Sequence, residues 1–129
     1  MKARKFFKTL LKELISREFN LPVTSIKEFK NFETELGIYP FQLERLKPVI
    51  LCEFGIEVKK SELRNCTDLY DLIDLTLEKF GLHDNDLIGP GGQVYRAHAE
   101  YTPDGITLEE IKILVDIGKT VYDWVTSDN

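Results

Sequence analysis

The stretch Glu35-Leu36-Gly37-Ile38-Tyr39-Pro40-Phe41-Gln42-Leu43-Glu44-Arg45-Leu46-Lys47-Pro48-Val49-Ile50-Leu51-Cys52-Glu53-Phe54-Gly55-Ile56-Glu57-Val58 decides how the chain folds. Pro40 suits a first helical turn, because its missing N–H would be unpaired there and its φ is already helical. Phe41, Leu43, Leu46, Ile50 and Phe54 are the core-facing candidates of a helix over residues 40–54. Pro48 removes one helical hydrogen bond and is expected to kink the middle. Gly55 closes the helix, and Ile56-Glu57-Val58 leaves it as a short extended turn.

The same reading extends outward in both directions. Phe7, Leu10, Leu11, Leu14, Ile15 and Phe19 recur at three- and four-residue steps between Lys8, Lys12, Glu13 and Arg17, which predicts an amphipathic helix over residues 5–19. Asn20-Leu21-Pro22 stops it. Residues 23–38 read as a long loop that Ile26, Phe29, Phe32 and Leu36 are expected to anchor to the core, being too apolar to leave in water. On the other side, Ser61-Glu62-Leu63 predicts a single helical turn. Thr67 or Asp68 caps a further helix, in which Leu69, Leu72, Ile73, Leu77 and Phe80 repeat until Gly81 ends it.

These elements, with Leu36-Gly37, Glu53-Phe54-Gly55-Ile56-Glu57 and Thr67-Asp68-Leu69-Tyr70-Asp71-Leu72-Ile73 at fitting distances, resemble the acyl carrier protein family over residues 5–81. In that family an acidic residue, Leu-Gly, a small hydrophobic residue and Asp-Ser-Leu open the second helix. Laid on this pattern without a gap, Tyr39 falls on the aspartate and Pro40 on the serine. The resemblance implies an all-α fold, an acyl-carrier-protein-like four-helix bundle over residues 1–81, with residues 82–129 as a C-terminal extension. It also implies a lost function. The family's serine hydroxyl carries phosphopantetheine through a phosphodiester at a helix start, where free amides and the dipole favour phosphate. Pro40 has no hydroxyl, so no phosphopantetheine attachment and no cofactor are expected. No serine lies between Ser25 and Ser61, and the nearest hydroxyls, Thr34 and Tyr39, fall on the loop side.

Working carriers use an acidic second helix to dock on basic patches of their enzymes. Here Gln42, Glu44, Arg45, Lys47 and Glu53 mix the signs, and such charges set specificity and encounter rate. The expected partner is therefore a protein other than the usual carrier enzymes, met through Tyr39, Pro40, Phe41, Gln42, Glu44 and Arg45. The alternative is an ordinary solvated helix face.

With 129 residues, 43% of them hydrophobic and 30% charged, the chain fits one globular domain with an appendage. Its net charge of −5 argues against a nucleic-acid partner, which needs clustered Lys and Arg. The apolar runs are far short of a membrane span, and Lys8, Lys12 and Glu13 interrupt any signal-peptide core after Met1-Lys2-Ala3-Arg4-Lys5. The chain is accordingly read as cytoplasmic, with no membrane partner. The basic outer face of the first helix suits an acidic partner or membrane surface, or simply solvent. Cys52 and Cys66 fall in or beside helices, lack metal-ligand or redox spacing and read as reduced, buried thiols.

Residues 82–106 read as a linker and extended arm: His83-Asp84-Asn85-Asp86-Leu87-Ile88-Gly89-Pro90-Gly91-Gly92 is polar and rich in Gly and Pro. Weak alternation over 93–100 predicts a short strand or arm, and Thr102-Pro103-Asp104-Gly105 a turn. Thr107-Leu108-Glu109-Glu110 reads as a capping box that opens a long helix within residues 107–129. Ile111, Leu114, Val115, Val121, Tyr122 and Val125 form one apolar stripe, which Ile113, Ile117 and Trp124 widen. This helix is expected to pack on the bundle or, with Gly118 allowing close approach, to meet a partner or a second copy as a homodimer.

No motif carries catalysis. Asp84-Asn85-Asp86 with Gly89 resembles a calcium loop, but Ile88 fills a liganding position and Tyr95 stands where a Glu is needed. His83 and His98 lack the company of a metal site. The sequence thus reads as a non-catalytic binding or regulatory module that cannot carry phosphopantetheine at the usual position. Two alternatives stay open: a genuine acyl or peptidyl carrier with an atypical attachment site, and a small bacterial inhibitor or immunity-type protein that reuses the bundle.

Overall fold

The computed structural model describes residues 1–89, 93–95 and 108–110. Along them run α1 (Ala3–Phe19), a 3₁₀ turn (Val23–Ser25), α2 (Pro40–Leu43), α3 (Leu46–Phe54), α4 (Lys60–Arg64) and α5 (Leu69–Phe80). Three short strands follow, β1 (Leu87–Ile88), β2 (Gln93–Tyr95) and β3 (Leu108–Glu110). The described chain is mostly helical, with a small sheet added at the end.

α1 buries the expected stripe of Phe7, Leu10, Leu11, Leu14 and Ile15, and Phe6 joins it. It packs chiefly on α5 and also touches α3. Asn20 ends it in the left-handed region, φ 54°, a conformation Asn tolerates better than other side chains. Phe7 of α1, Phe54 of α3 and Phe80 of α5 form a ring triangle with centroid separations of 5.7, 5.2 and 5.9 Å. These three helices are thereby joined at one point. α5 starts where the Asp68 carboxylate accepts the Asp71 N–H at 3.0 Å, and Gly81, φ 68°, ends it.

The long loop is anchored by Ile26, Phe32 and Ile38, all buried, and Leu36 is partly buried. Phe29 departs from expectation: it is 72% exposed and stacks on Tyr70 with centroids 5.3 Å apart. The neighbouring Glu28 turns inward to ion pairs with Arg4 and Lys8, which sends Phe29 out.

The single helix expected over residues 40–54 is broken at Glu44 and Arg45, ahead of Pro48 rather than at it. Pro48 has no N–H for the carbonyl four residues back, and its ring crowds that carbonyl. Lys47 N–H instead reaches Glu44 O at 3.1 Å and Arg45 N–H reaches Gln42 O at 3.1 Å, both three residues back. α3 then restarts so that Pro48 lies in its first turn, where the missing donor is harmless. Leu43, Leu46, Ile50 and Phe54 are buried as expected, but Phe41 is 66% exposed. Phe41 and Leu43 are two residues apart, about 200° round a helix, so both cannot face one core.

The stretch read as a polar linker is partly core. Leu82, Asp86 and Ile88 are buried, and the Asp86 carboxylate accepts the His83 N–H at 2.8 Å. Backbone bonds from Ala3 N–H to Asp86 O and from Ile88 N–H to Met1 O, both 2.7 Å, lay this segment beside the start of α1. β1, β2 and β3 form an antiparallel sheet in that order, with Ile88 opposite Val94 and Val94 opposite Glu109. The arm expected from residue 93 is therefore a strand over Gln93–Tyr95, while residues 96–100 and the turn at 102–105 lie outside the described residues. Leu108–Glu110 departs from the expected helix start: it is extended, because its backbone groups find partners on β2. Residues 111–129, with their apolar stripes and the homodimer contact expected there, lie outside the described residues.

Candidate functional site

Gly37, φ 70°, turns the loop toward the start of α2, and Ile38 N–H donates to Phe32 O at 2.7 Å, pinning buried Ile38 beneath it. Tyr39 follows in an extended conformation as the residue before the helix. Its N–H donates to Gln42 Oε1 at 2.8 Å, so the Gln side chain closes the first turn from within. Pro40 takes the first helical position and is exposed. The rings of Tyr39 and Phe41, 49% and 66% exposed, lie parallel within 7° with centroids 6.2 Å apart.

The six residues expected to bind a partner divide into two groups. Tyr39, Pro40 and Phe41 face outward. Gln42, Glu44 and Arg45 direct their polar groups into the chain. Arg64 donates to Glu44 at 3.1 Å, while Arg45 donates to Glu18 Oε1 at 3.1 Å and to Glu18 O at 3.0 Å. The Arg45 guanidinium also lies 5.0 Å from the Phe19 ring centroid. Beside this face runs an open groove of about 410 Å³ floored by Phe19, Leu21, Leu36 and Ile38. On the other side, Pro40, Leu43, Phe32 and Cys66 border a cavity of about 60 Å³. That cavity has room for water but is far below the size of a ligand pocket.

The chain matches no protein-family model, no curated protein and no solved structure. Among the described residues no group of three or more His, Cys, Asp or Glu is placed to hold a metal ion. No helix among them is long and apolar enough to cross a membrane.

Sequence reasoning missed the hub built on Arg4. Its Nε donates to Glu28 at 2.9 Å and its NH1 to Asp74 at 2.7 Å and Asp84 at 3.1 Å, while its guanidinium lies 4.0 Å from the Tyr70 ring centroid. Burial opposes the charge, but the bonds to Asp74, Glu28 and Asp84 outweigh it and hold the guanidinium above its usual range. Arg4 stands in a basic run in the sequence, and nothing in that run distinguishes it from its neighbours.

The two thiols differ in environment. Cys66 is buried as expected, its Sγ donating to Glu62 O at 3.5 Å, but Cys52 departs from expectation and is exposed on α3. Burial first, then the carboxylates of Asp71 and Asp68, push the Cys66 thiol up to about 12. The thiolate is the reactive form. Native protein treated with iodoacetamide at neutral pH is therefore expected to carry label on Cys52 alone, with Cys66 reacting only after denaturation, as read by intact mass. Labelling of Cys66 at the same rate in the native chain would contradict its burial. In the unfolded chain the thiol ionises in its ordinary range, so stability falls as pH rises from that range toward about 12.

Proposed function

We propose that this chain is a non-catalytic, acyl-carrier-like binding module whose partner surface is the outward face of Tyr39, Pro40 and Phe41. The observation that carries this reading is the stacked, exposed aromatic pair at the start of α2. Its rings flank Pro40, which the resemblance puts at the serine of a carrier, with Tyr39 at the preceding aspartate. Two large rings left in water side by side mark an interaction surface more often than a solvated one, and Tyr and Phe serve as anchors at interfaces. The turn at Gly37 and the closure of α3 at Gly55 support the carrier-like frame.

The partner's chemistry follows from the same face. Glu44 and Arg45 are paired within the chain, so the surface offers apolar area with little net charge. A protein with a pocket for aromatic rings fits it better than the strongly basic patches that working carriers meet. Affinity would then rest on ring burial and be only weakly dependent on salt.

The reading is tested by incubating the native chain and a Pro40→Ser variant with coenzyme A and a broad-specificity phosphopantetheinyl transferase, then measuring intact mass. The native chain is expected to keep its mass and Pro40→Ser to gain one phosphopantetheine arm. An arm on the native chain would make it a carrier with a relocated attachment residue and end the proposal. An uncharged variant would remove the support that the aligned register lends it.

A further inference from the structure

One face of α1 carries cations that the other described residues leave largely unpaired. Lys2, Lys5, Lys8 and Lys12 follow one another at three- and four-residue steps and, with Arg4 and Glu28, line a surface groove of about 380 Å³. Neither Arg4 nor Glu28 is available to a ligand. Arg4 is held by three carboxylates, and Glu28 is shared by Arg4 at 2.9 Å and Lys8 at 3.4 Å. Lys12 makes no ion pair among the described residues. Burial, then repulsion from Lys8 and Lys27, holds its ammonium below the ordinary range. An anion entering the groove would relieve that crowding. In a chain of net charge −5 such segregation is a local feature and does not follow from average composition.

We propose that this groove binds an acidic segment of a partner polypeptide, with Lys2, Lys5, Lys8 and Lys12 meeting its spaced carboxylates. From Lys2 to Lys12 the strip is about 15 Å long, the reach of a short extended segment. The groove is concave, so a polypeptide reaches its floor while a flat bilayer touches only its rim. A long polyanion such as a nucleic acid outruns a strip of four lysines in a chain of net charge −5, whereas a short segment stays within it. At the Arg4 end, exposed Phe29 stacks on Tyr70, the ring that Arg4 covers, and offers an apolar residue of the partner a place beside the strip. The strip lies at the start of α1, whereas Arg45 meets Glu18 at its end. Lys12, the near end of the strip, lies six residues before Glu18, about 9 Å along the helix. The strip shares no residue with the Tyr39 and Phe41 face, so its proposal does not rest on that one.

The test is fluorescence anisotropy of the full chain with a labelled peptide of Asp and Glu residues containing one Phe, against a matched peptide of Asn and Gln. The acidic peptide is expected to bind, to weaken steeply with salt, and to slow acetylation of Lys12 by an amine reagent. Lys2→Glu/Lys5→Glu alters two exposed side chains and so leaves the fold intact; it is expected to weaken binding about tenfold or more. Lys8→Gln/Lys12→Gln is expected to act in the same direction. The proposal is overturned if the acidic peptide binds no better than the neutral one at low salt, or if charge reversal leaves binding unchanged. Tighter binding to phosphatidylcholine vesicles containing phosphatidylserine, or to a single-stranded oligonucleotide, would overturn the assignment to a polypeptide.

Discussion

Phe7→Ala is expected to destabilise the protein by about 3–5 kcal/mol, the range for truncating a buried ring. Phe7 is fully buried, and its ring meets Phe6 at 5.2 Å, Phe54 at 5.7 Å and Phe80 at 5.2 Å. Removing it empties a place where α1, α3 and α5 meet, and the surrounding rings cannot all close on the gap. Against a typical total of about 5–15 kcal/mol, such a loss leaves a marginal or unfolded chain at physiological temperature. Urea unfolding followed by circular dichroism measures it, with Phe41→Ala as the comparison. Phe41 is the same residue type but 66% exposed, and its truncation is expected to change stability by no more than about 0.5 kcal/mol. Equal losses at the two positions would contradict the burial pattern on which the fold rests.

Arg4→Ala carries the second large effect, a destabilisation of about 1–3 kcal/mol. The contact with Glu28 matters most, since both side chains are only 17% exposed. Asp74 and Asp84 are 50% and 57% exposed, so water and salt screen their shares. Without Arg4, Glu28 keeps Lys8 at 3.4 Å as its one ion-pair partner among the described residues, three carboxylates face one another across the gap, and Tyr70 loses its cover. Arg4→Lys is expected to recover only part of the loss. A single ammonium cannot span Glu28, Asp74 and Asp84 while also lying flat on a ring. Thermal melts at low and high salt measure both variants, and the difference between Arg4→Ala and the native chain should shrink at high salt. A loss under about 0.5 kcal/mol for Arg4→Ala would reduce the hub to ordinary surface pairing.

What could be read from the sequence was local. The α1 stripe, the Asp68 cap and the Gly55 and Gly81 stops depend on residues a few positions apart, and they stand where periodicity and capping chemistry put them. Apolar character alone misassigned Phe29 and Phe41. In each case a neighbour won the inward place: Glu28 by pairing with Arg4, and Leu43 by the geometry of a one-turn helix. Pro48 announced a perturbation but not its position, because the carbonyl it crowds lies a full turn earlier. Leu82 and Ile88 were hidden in a polar background, and their burial follows from pairing with the start of the chain. At Leu108–Glu110 a sound local helix signal lost to a ladder partner. Tyr39, Pro40 and Phe41 are contiguous, so a candidate face could be named from the sequence, although Phe41 was also expected in the core. The Arg4 hub could not be, since its partners Glu28 and Asp84 lie 24 and 80 positions away.

The backbone bonds that tie the beginning of α1 to β1 have a consequence for the order of folding. Met1 and Ile88 lie 87 positions apart, so their pairing closes a loop around the whole helical core. Loop closure of that span gains little until the helices between have docked, which makes this clasp a late event on the way in. By the same token it is an early one on the way out, a seam that can part while the Phe7, Phe54 and Phe80 contact holds. Because β1 is both the clasp and the first strand of the sheet, it couples the sheet to residues at the opposite end of the sequence.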